Sequence, residues 1–318
     1  MNKFLARLSI ALLALCNLSV ASAQNSAPFL WEIKGPQTTH YLMGSVHMLP
    51  AESQPLPSEL LAAYGKADAV VFETDLAALS DPQTQMSMLA SANAPKGIKP
   101  LIGAALYKKL GERTKALELP LDTTCDHYKP WFCAMTLEVV NFARNGYQPQ
   151  YGLDQVFYLR ARDDNKPIHW LEAPAKHLQI FTAMPNKLAT EFLSATLDEL
   201  GDAKQAPTEL FRMWRESDVV ALEKIAHEMK RARPRAYERM LATRTRAWIA
   251  PLKKLLNSTE RQLIVVGAAH AVGRDGLLTL LRKAGYEIAP VPADTPAPAE
   301  AASAPIVTAP LTSEKALP

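Results

Sequence analysis

Leu263-Ile264-Val265-Val266-Gly267-Ala268-Ala269-His270 is the stretch on which the fold turns. Four consecutive apolar residues, three of them β-branched, read as a short strand buried on both faces. A glycine ends the run, and a histidine follows three residues later. The same pattern stands far upstream, where the β-rich run Thr38 to Met43 stops at Gly44 and His47 lies three residues beyond it. Two more short runs end on acids: Ala69-Val70-Val71-Phe72 gives way to Glu73, and Ile168-His169-Trp170-Leu171 to Glu172. Helical stretches separate these runs, so the chain is α/β. In open α/β sheets ligands bind outside the carboxyl ends of the strands. If the four strands are neighbours and share direction, His47, Glu73, Glu172 and His270 converge there.

The rest of the chain fits around those strands. Phe29 to Ile33 pairs with Thr38 to Met43 as a hairpin across Lys34-Gly35-Pro36-Gln37. Ser58 reads as the N-cap of a helix to about Gly65, and residues 75–145 are mostly helical, with breaks near Pro95, Gly97, Pro100 and Pro120. Asp154 opens a helix through about Arg162, and several helices fill residues 174–260. A helix from Asp275 to Ala284 closes on Gly285, and Tyr286 to Ala289 makes a last strand. From Pro290 the composition turns to Ala and Pro, which cannot bury enough apolar surface to offset ordering, so 291–318 is expected to be a disordered tail behind a domain spanning 27–290.

Residues 1–23 have the layout of a secretory signal peptide: Lys3 and Arg7, an apolar stretch from Leu8 to Val20, then Ala21-Ser22-Ala23 before Gln24. The apolar stretch is short for a transmembrane helix, which takes about 20 apolar residues, so an uncleaved anchor is the weaker reading. Lipid attachment at Cys16 is weaker again, because Leu15 precedes it. The expected location is periplasmic or secreted, with no transmembrane span in the mature protein. Taking Lys3 and Arg7 from the 35 Lys and Arg leaves 33 against 32 Asp and Glu, so the net charge falls from +3 to +1. Neither that balance nor export supports nucleic-acid binding.

Cys125 and Cys133 remain after cleavage. An oxidising compartment favours a disulfide between them, worth about 2.5 kcal/mol in the chain-entropy model. A metal site using Cys125, His127 and Cys133, or two free thiols, are the alternatives.

Imidazole and carboxylate together are usual ligands for Zn, Mn, Co or Fe, and a carboxylate can also act as general base on metal-activated water. Gly44 and Gly267 permit a tight turn or close backbone approach to a bound group. Each piece has a plainer reading, since a strand-end histidine is often a hydrogen-bonded structural residue. Asp154 could simply cap its helix, and Arg244 could face either the site or solvent. The basic run Lys230, Arg231, Arg233, Arg235 and Arg239, broken by Pro234, reads as a solvated helix end or as a contact for an anionic envelope polymer. Ser45 lacks a nucleophile elbow, and there is no His-Glu-x-x-His motif, phosphate loop or dinucleotide fingerprint. His40 and His169 read as ordinary strand residues.

Five segments together carry a resemblance. They are Tyr41-Leu42-Met43-Gly44-Ser45-Val46-His47, Val71-Phe72-Glu73, Gly152-Leu153-Asp154, Lys166-Pro167-Ile168 with Leu171-Glu172, and Val265-Val266-Gly267-Ala268-Ala269-His270 with Gly273. In this order and spacing, from about Leu30 to Val291, the chain resembles the TraB/GumN family, which is related to the Tiki metalloproteases. The resemblance implies a small central sheet made of two related halves, heavily decorated with helices, with one cleft at the strand carboxyl ends. It implies a metal-dependent peptidase or amidase in which His47, His270 and Glu73 are the candidate catalytic residues. His47, His270, Glu73 and Glu172 would be ligands of a divalent Mn, Co or Zn ion. Arg244, Asp154, Gly44 and Gly267 would face a peptide or small-molecule substrate. One position departs from the pattern: Thr245 follows Arg244 where Asn is usual, which puts the family activity in question. The alternatives are a non-catalytic peptide or small-ligand binder on the same fold, and a structural envelope protein.

Overall fold

A computed structural model describes residues 26–202 and 205–293 of the 318-residue chain. The leader read at 1–23 and nearly all of the Ala/Pro-rich tail lie outside the described residues. Eight strands occur among them: β1 (Ser26–Lys34), β2 (Thr39–Ser45), β3 (Leu49–Pro50), β4 (Ala69–Phe72), β5 (Tyr147–Gln148), β6 (Ile168–Trp170), β7 (Gln262–Gly267) and β8 (Glu287–Pro292). Six of them form one mixed sheet in the order β6-β4-β7-β2-β1-β8, and β3 and β5 form a separate two-stranded ribbon.

The four strands that end on the candidate groups, β6, β4, β7 and β2, are adjacent and parallel. β7 lies between β4 and β2, with Val71 opposite Ile264 and Met43 opposite Val265. Its apolar run is buried throughout, as a strand covered on both faces requires. The β1–β2 hairpin closes one side of the sheet antiparallel, with Leu30 opposite Met43. The helix Leu153–Asp163 packs on β4 and β7, setting Tyr158 edge-on to Phe72 at 5.8 Å and Phe157 against Tyr64 at 5.6 Å.

The segments around 76–144 and 174–256 are almost entirely helical. The helices Pro130–Arg144 and Asn186–Glu199 pack together around a second core that includes Ile98, Leu110, Leu137, Leu193 and Leu197. The disulfide Cys125–Cys133 is buried in this core, so the metal and free-thiol readings of the pair fall away.

Three local expectations are corrected. Ser58 begins its helix but does not cap it; Pro57 is the capping residue, and the serine hydroxyl turns to Glu59. Pro100 does not break a helix: it sits in the first turn of Lys99–Ala116, where its missing N–H is harmless, and the kink comes at Gly103 with φ +80°. The last strand does not stop at Ala289. Pro290 and Pro292 lie opposite Trp31 and Ser26 in β8, which a sheet edge allows because one side needs no donor.

Candidate functional site

β4 and β6 carry their pairing one step past the strand ends. Leu171 N–H donates to Phe72 O at 3.0 Å and Glu172 N–H to Glu73 O at 2.9 Å, which fixes the two acids side by side. From β7 the chain turns directly into the short helix Ala268–Ala271, which folds His270 inward. Glu73 Oε1 accepts the Gly267 N–H at 2.7 Å and lies 4.0 Å from His270 Nε2. A Cβ on Gly267 would stand 3.2 Å from Glu73 Oε1 and 3.7 Å from both His47 Nε2 and His270 Cδ2. Three groups from three strands therefore meet over one glycine.

The helix Thr243–Leu256 supplies the centre of the cluster. Arg244, Trp248 and Leu252 recur every four residues and are buried, and a wide π-turn at Glu238–Ala242 precedes them. Arg244 Nη2 lies 2.5 Å from Glu73 Oε2 and 2.6 Å from Glu172 Oε1, and Nε donates to Glu172 Oε1 at 3.0 Å. Its Nη1 donates to His270 Nε2 at 2.9 Å and to Met240 O at 3.2 Å. Trp248 packs under the guanidinium at 4.7 Å, donates its indole N–H to Glu172 Oε2 at 3.2 Å, and contacts the His270 ring at 4.4 Å.

His270 Nε2 accepts from Arg244, so its proton sits on Nδ1 and is donated to Thr245 Oγ1 at 2.7 Å; Thr245 in turn donates to Leu241 O at 2.8 Å. Burial, reinforced by the Arg244 and His47 charges, pulls the His270 pKa down to about 4, so the ring is neutral. Burial disfavours the Glu73 carboxylate, but His270, Arg244, His47 and the Gly267 N–H outweigh it and hold Glu73 well below the usual range. With His270 neutral, the cations Arg244 and His47 and the Gly267 N–H carry that effect. Glu172 is lowered as well: burial opposes ionisation, but hydrogen bonds from His177 and Arg244 prevail.

His47 stands at the rim, with its side chain 67% exposed. Its Nδ1 meets Asp154 Oδ1 at 3.0 Å, and Ser45 Oγ donates to the same oxygen at 2.8 Å. The Asp154 charge is the main reason the His47 pKa rises to about 9. Asp154 occupies the first turn of its helix, but the cap is Gly152 with no side-chain bond, so the plain capping reading fails. Gly152 is there because a Cβ would fall 2.1 Å from His47 O. Gly44 is a packing position: a Cβ would meet Phe29 Cβ at 2.9 Å and Ala268 Cβ at 3.1 Å.

Glu73, Glu172 and His177 offer one ligand atom each, all within 4.8 Å of one another, which suits a divalent ion in an N/O site. Two of the four expected ligands, Glu73 and Glu172, are in this compact group; His47 and His270 are not. His177 was missed because it lies on the helix Pro174–Thr182, not at a strand end. Its Nδ1 is 2.9 Å from Glu172 Oε1 and 3.1 Å from Arg244 Nη2, and it can serve only one of them at a time. Trp248 was also missed, although its four-residue spacing from Arg244 puts both on one helix face.

The remaining candidates are structural. His40 donates Nε2–H to Leu256 O at 3.0 Å and accepts Gln262 N–H at 3.1 Å, a satisfied core histidine. In the basic run, Lys230 pairs with Asp275, Arg233 with Glu199 and Arg235 with Glu191, while Arg239 binds the carbonyls of Gln179 and Ile180. These charges are largely used within the molecule. No helix among the described residues is long and apolar enough to cross a membrane.

The chain is similar to the uncharacterized protein YbaP of Escherichia coli (strain K12), with 23% identity over 258 residues covering 79% of this chain and 91% of that protein. It is similar to the same degree to the uncharacterized protein YbaP of Shigella flexneri. No solved structure matches it. The profile of the TraB/PrgY/gumN family matches residues 29–290, nearly all that the structure describes. The chain belongs to the TraB/PrgY/gumN family.

Proposed function

We propose that this chain is an exported metal-dependent hydrolase of peptide or amide bonds, working in a cleft between two related halves at the strand carboxyl ends. The observation that carries the reading is the meeting of Glu73, Glu172, His177, His270 and Arg244 beyond the ends of neighbouring parallel strands. Export is supported by the leader-like residues 1–23 and by the buried disulfide, and it places the protein in the periplasm or outside the cell.

Glu73, Glu172 and His177 would hold the ion, a Mn, Co or Zn dication by its donor set. Bound there, it would supply Lewis-acid polarisation of a carbonyl and a more acidic water. Glu73 stays ionised, as a ligand must, but Arg244 and the Gly267 N–H engage its oxygens and its lowered pKa makes it a weak base, so its role is that of a ligand. His47 is cationic at neutral pH and faces solvent at the rim, where it can donate a proton to a leaving amine. Asp154 holds that imidazole in place. Thr245, where Asn is usual, fixes the proton of His270 on Nδ1 through its hydroxyl.

One observation favours the second reading, a non-catalytic peptide or small-ligand binder. Arg244 already pairs with both acids, and so offsets part of their charge without an ion. The test is metal content and peptide hydrolysis by the mature protein purified without chelator, beside a folded Glu73→Gln variant. Near-stoichiometric metal with chelator-sensitive hydrolysis, both lost in the variant, is the expected result. Peptide binding without metal or hydrolysis would overturn the hydrolase in favour of the binder.

A further inference from the structure

We infer that Glu73, Glu172 and His177 form a cation seat filled by the chain's own Arg244, so that Arg244 and a divalent ion exclude one another. This rests on the metal-dependent reading of the same site and concerns how that site is loaded.

The three candidate ligand atoms converge on one point, and a guanidinium nitrogen is already there. Arg244 Nη2 lies 2.5 Å from Glu73 Oε2, 2.6 Å from Glu172 Oε1 and 3.1 Å from His177 Nδ1. A dication binding these atoms at about 2.0–2.2 Å would occupy nearly the same volume as that nitrogen. Arg cannot shed its proton to make way, and two positive centres so close in a part-buried site repel strongly. The ion therefore enters only when the side chain leaves.

The molecule offers somewhere to go. Arg244 and Glu172 line an open groove of about 690 Å³ whose walls include Glu238 and the apolar Ile180 and Leu188, with Lys176, Arg235 and Arg239 also on them. The guanidinium can move into this groove without unwinding its helix. His177 gains by the exchange: its Nδ1 is now shared between an acid and a cation, and as a metal ligand it would need only one partner. Against exit stand the contacts with Trp248, Met240 O and His270 Nε2. They make the open state a minority, and apparent metal affinity falls by that fraction.

The test titrates Mn²⁺ into the mature wild-type chain, Arg244→Met, and Arg244→Met combined with His177→Gln. Arg244→Met should bind at least about ten-fold more tightly than wild type, and adding His177→Gln should remove the gain. Equal affinity of the first two proteins would overturn the exclusion while leaving the metal reading intact. No binding by any of them would overturn both. If Arg244→Met does not fold, phenylglyoxal labelling of Arg244 in the wild-type chain, read by mass spectrometry, gives the answer. Labelling should rise in saturating Mn²⁺, and unchanged labelling with Mn²⁺ bound would overturn the inference.

Discussion

Gly44-Ser45-Val46-His47 and Gly267-Ala268-Ala269-His270 leave strands that pair side by side, yet their histidines end in opposite states. Ser45 stands opposite Gly267, so the two motifs are one residue out of register. After β2 the chain bends at His47, which reaches the rim; after β7 it coils into a short helix and His270 is buried. His47 meets a carboxylate and becomes a cation, with a pKa of about 9. His270 meets a guanidinium and a hydroxyl and stays neutral, with a pKa of about 4. A shared motif places an imidazole, and the partner from elsewhere in the chain decides what it can do.

The strongest way to break the contrast is Arg244→Met in the absence of metal. It leaves Glu73 and Glu172 facing each other without a counter-charge and should destabilise the fold by about 3–5 kcal/mol, measured by urea unfolding at neutral pH. At the other turn, Gly152→Ala pushes a methyl into the His47 carbonyl and should cost about 3 kcal/mol, with the larger NMR shift changes around His47 than around His270. Thr245→Val strands the His270 Nδ1 proton and should cost about 1–2 kcal/mol, while Thr245→Ser should restore most of it. Asp154→Asn is the mildest change, below about 1 kcal/mol because His47 is exposed. It should still lower the His47 titration, followed by NMR, relative to wild type.

The two turns should also respond to opposite ends of the pH scale. The folded pKa of His47 lies above its unfolded value near 6.5, so its contribution is complete below that pH and lost as pH rises through about 9. The folded pKa of His270 lies below, so its contribution is complete above about 6.5 and lost as pH falls toward 4. Stability curves of His47→Ala and His270→Ala that diverge from wild type in the same pH window would contradict this division.

The strands were readable because each is a short apolar run stopped by a glycine or an acid, and that local signal survives packing. Ala69–Phe72 even matches its strand end for end. Their order in the sheet brought His47, Glu73, Glu172 and His270 into one neighbourhood, but not the grouping within it. Arg244 comes from a helix far along the chain, and it bonds Glu73, Glu172 and His270 together. His177 gives no strand-end signal, and its approach to Glu172 depends on where the helix Pro174–Thr182 docks. Asp154 looked like a cap because acids favour first turns; only the fold shows that its carboxylate is turned to His47.

The place of β7 in the sheet has a consequence for how the molecule is made. A chain synthesised from its N-terminus delivers β1, β2, β4 and β6 long before the strand that must lie between β4 and β2. Until residues 262–267 arrive, those two strands each present an unpaired edge, and the contact between Gly267 N–H and Glu73 across 194 positions cannot form. The site is therefore among the last parts to assemble. A protein truncated before β7 would hold most of the helices and three of the four converging strands, yet not the cluster that Gly267 and His270 complete.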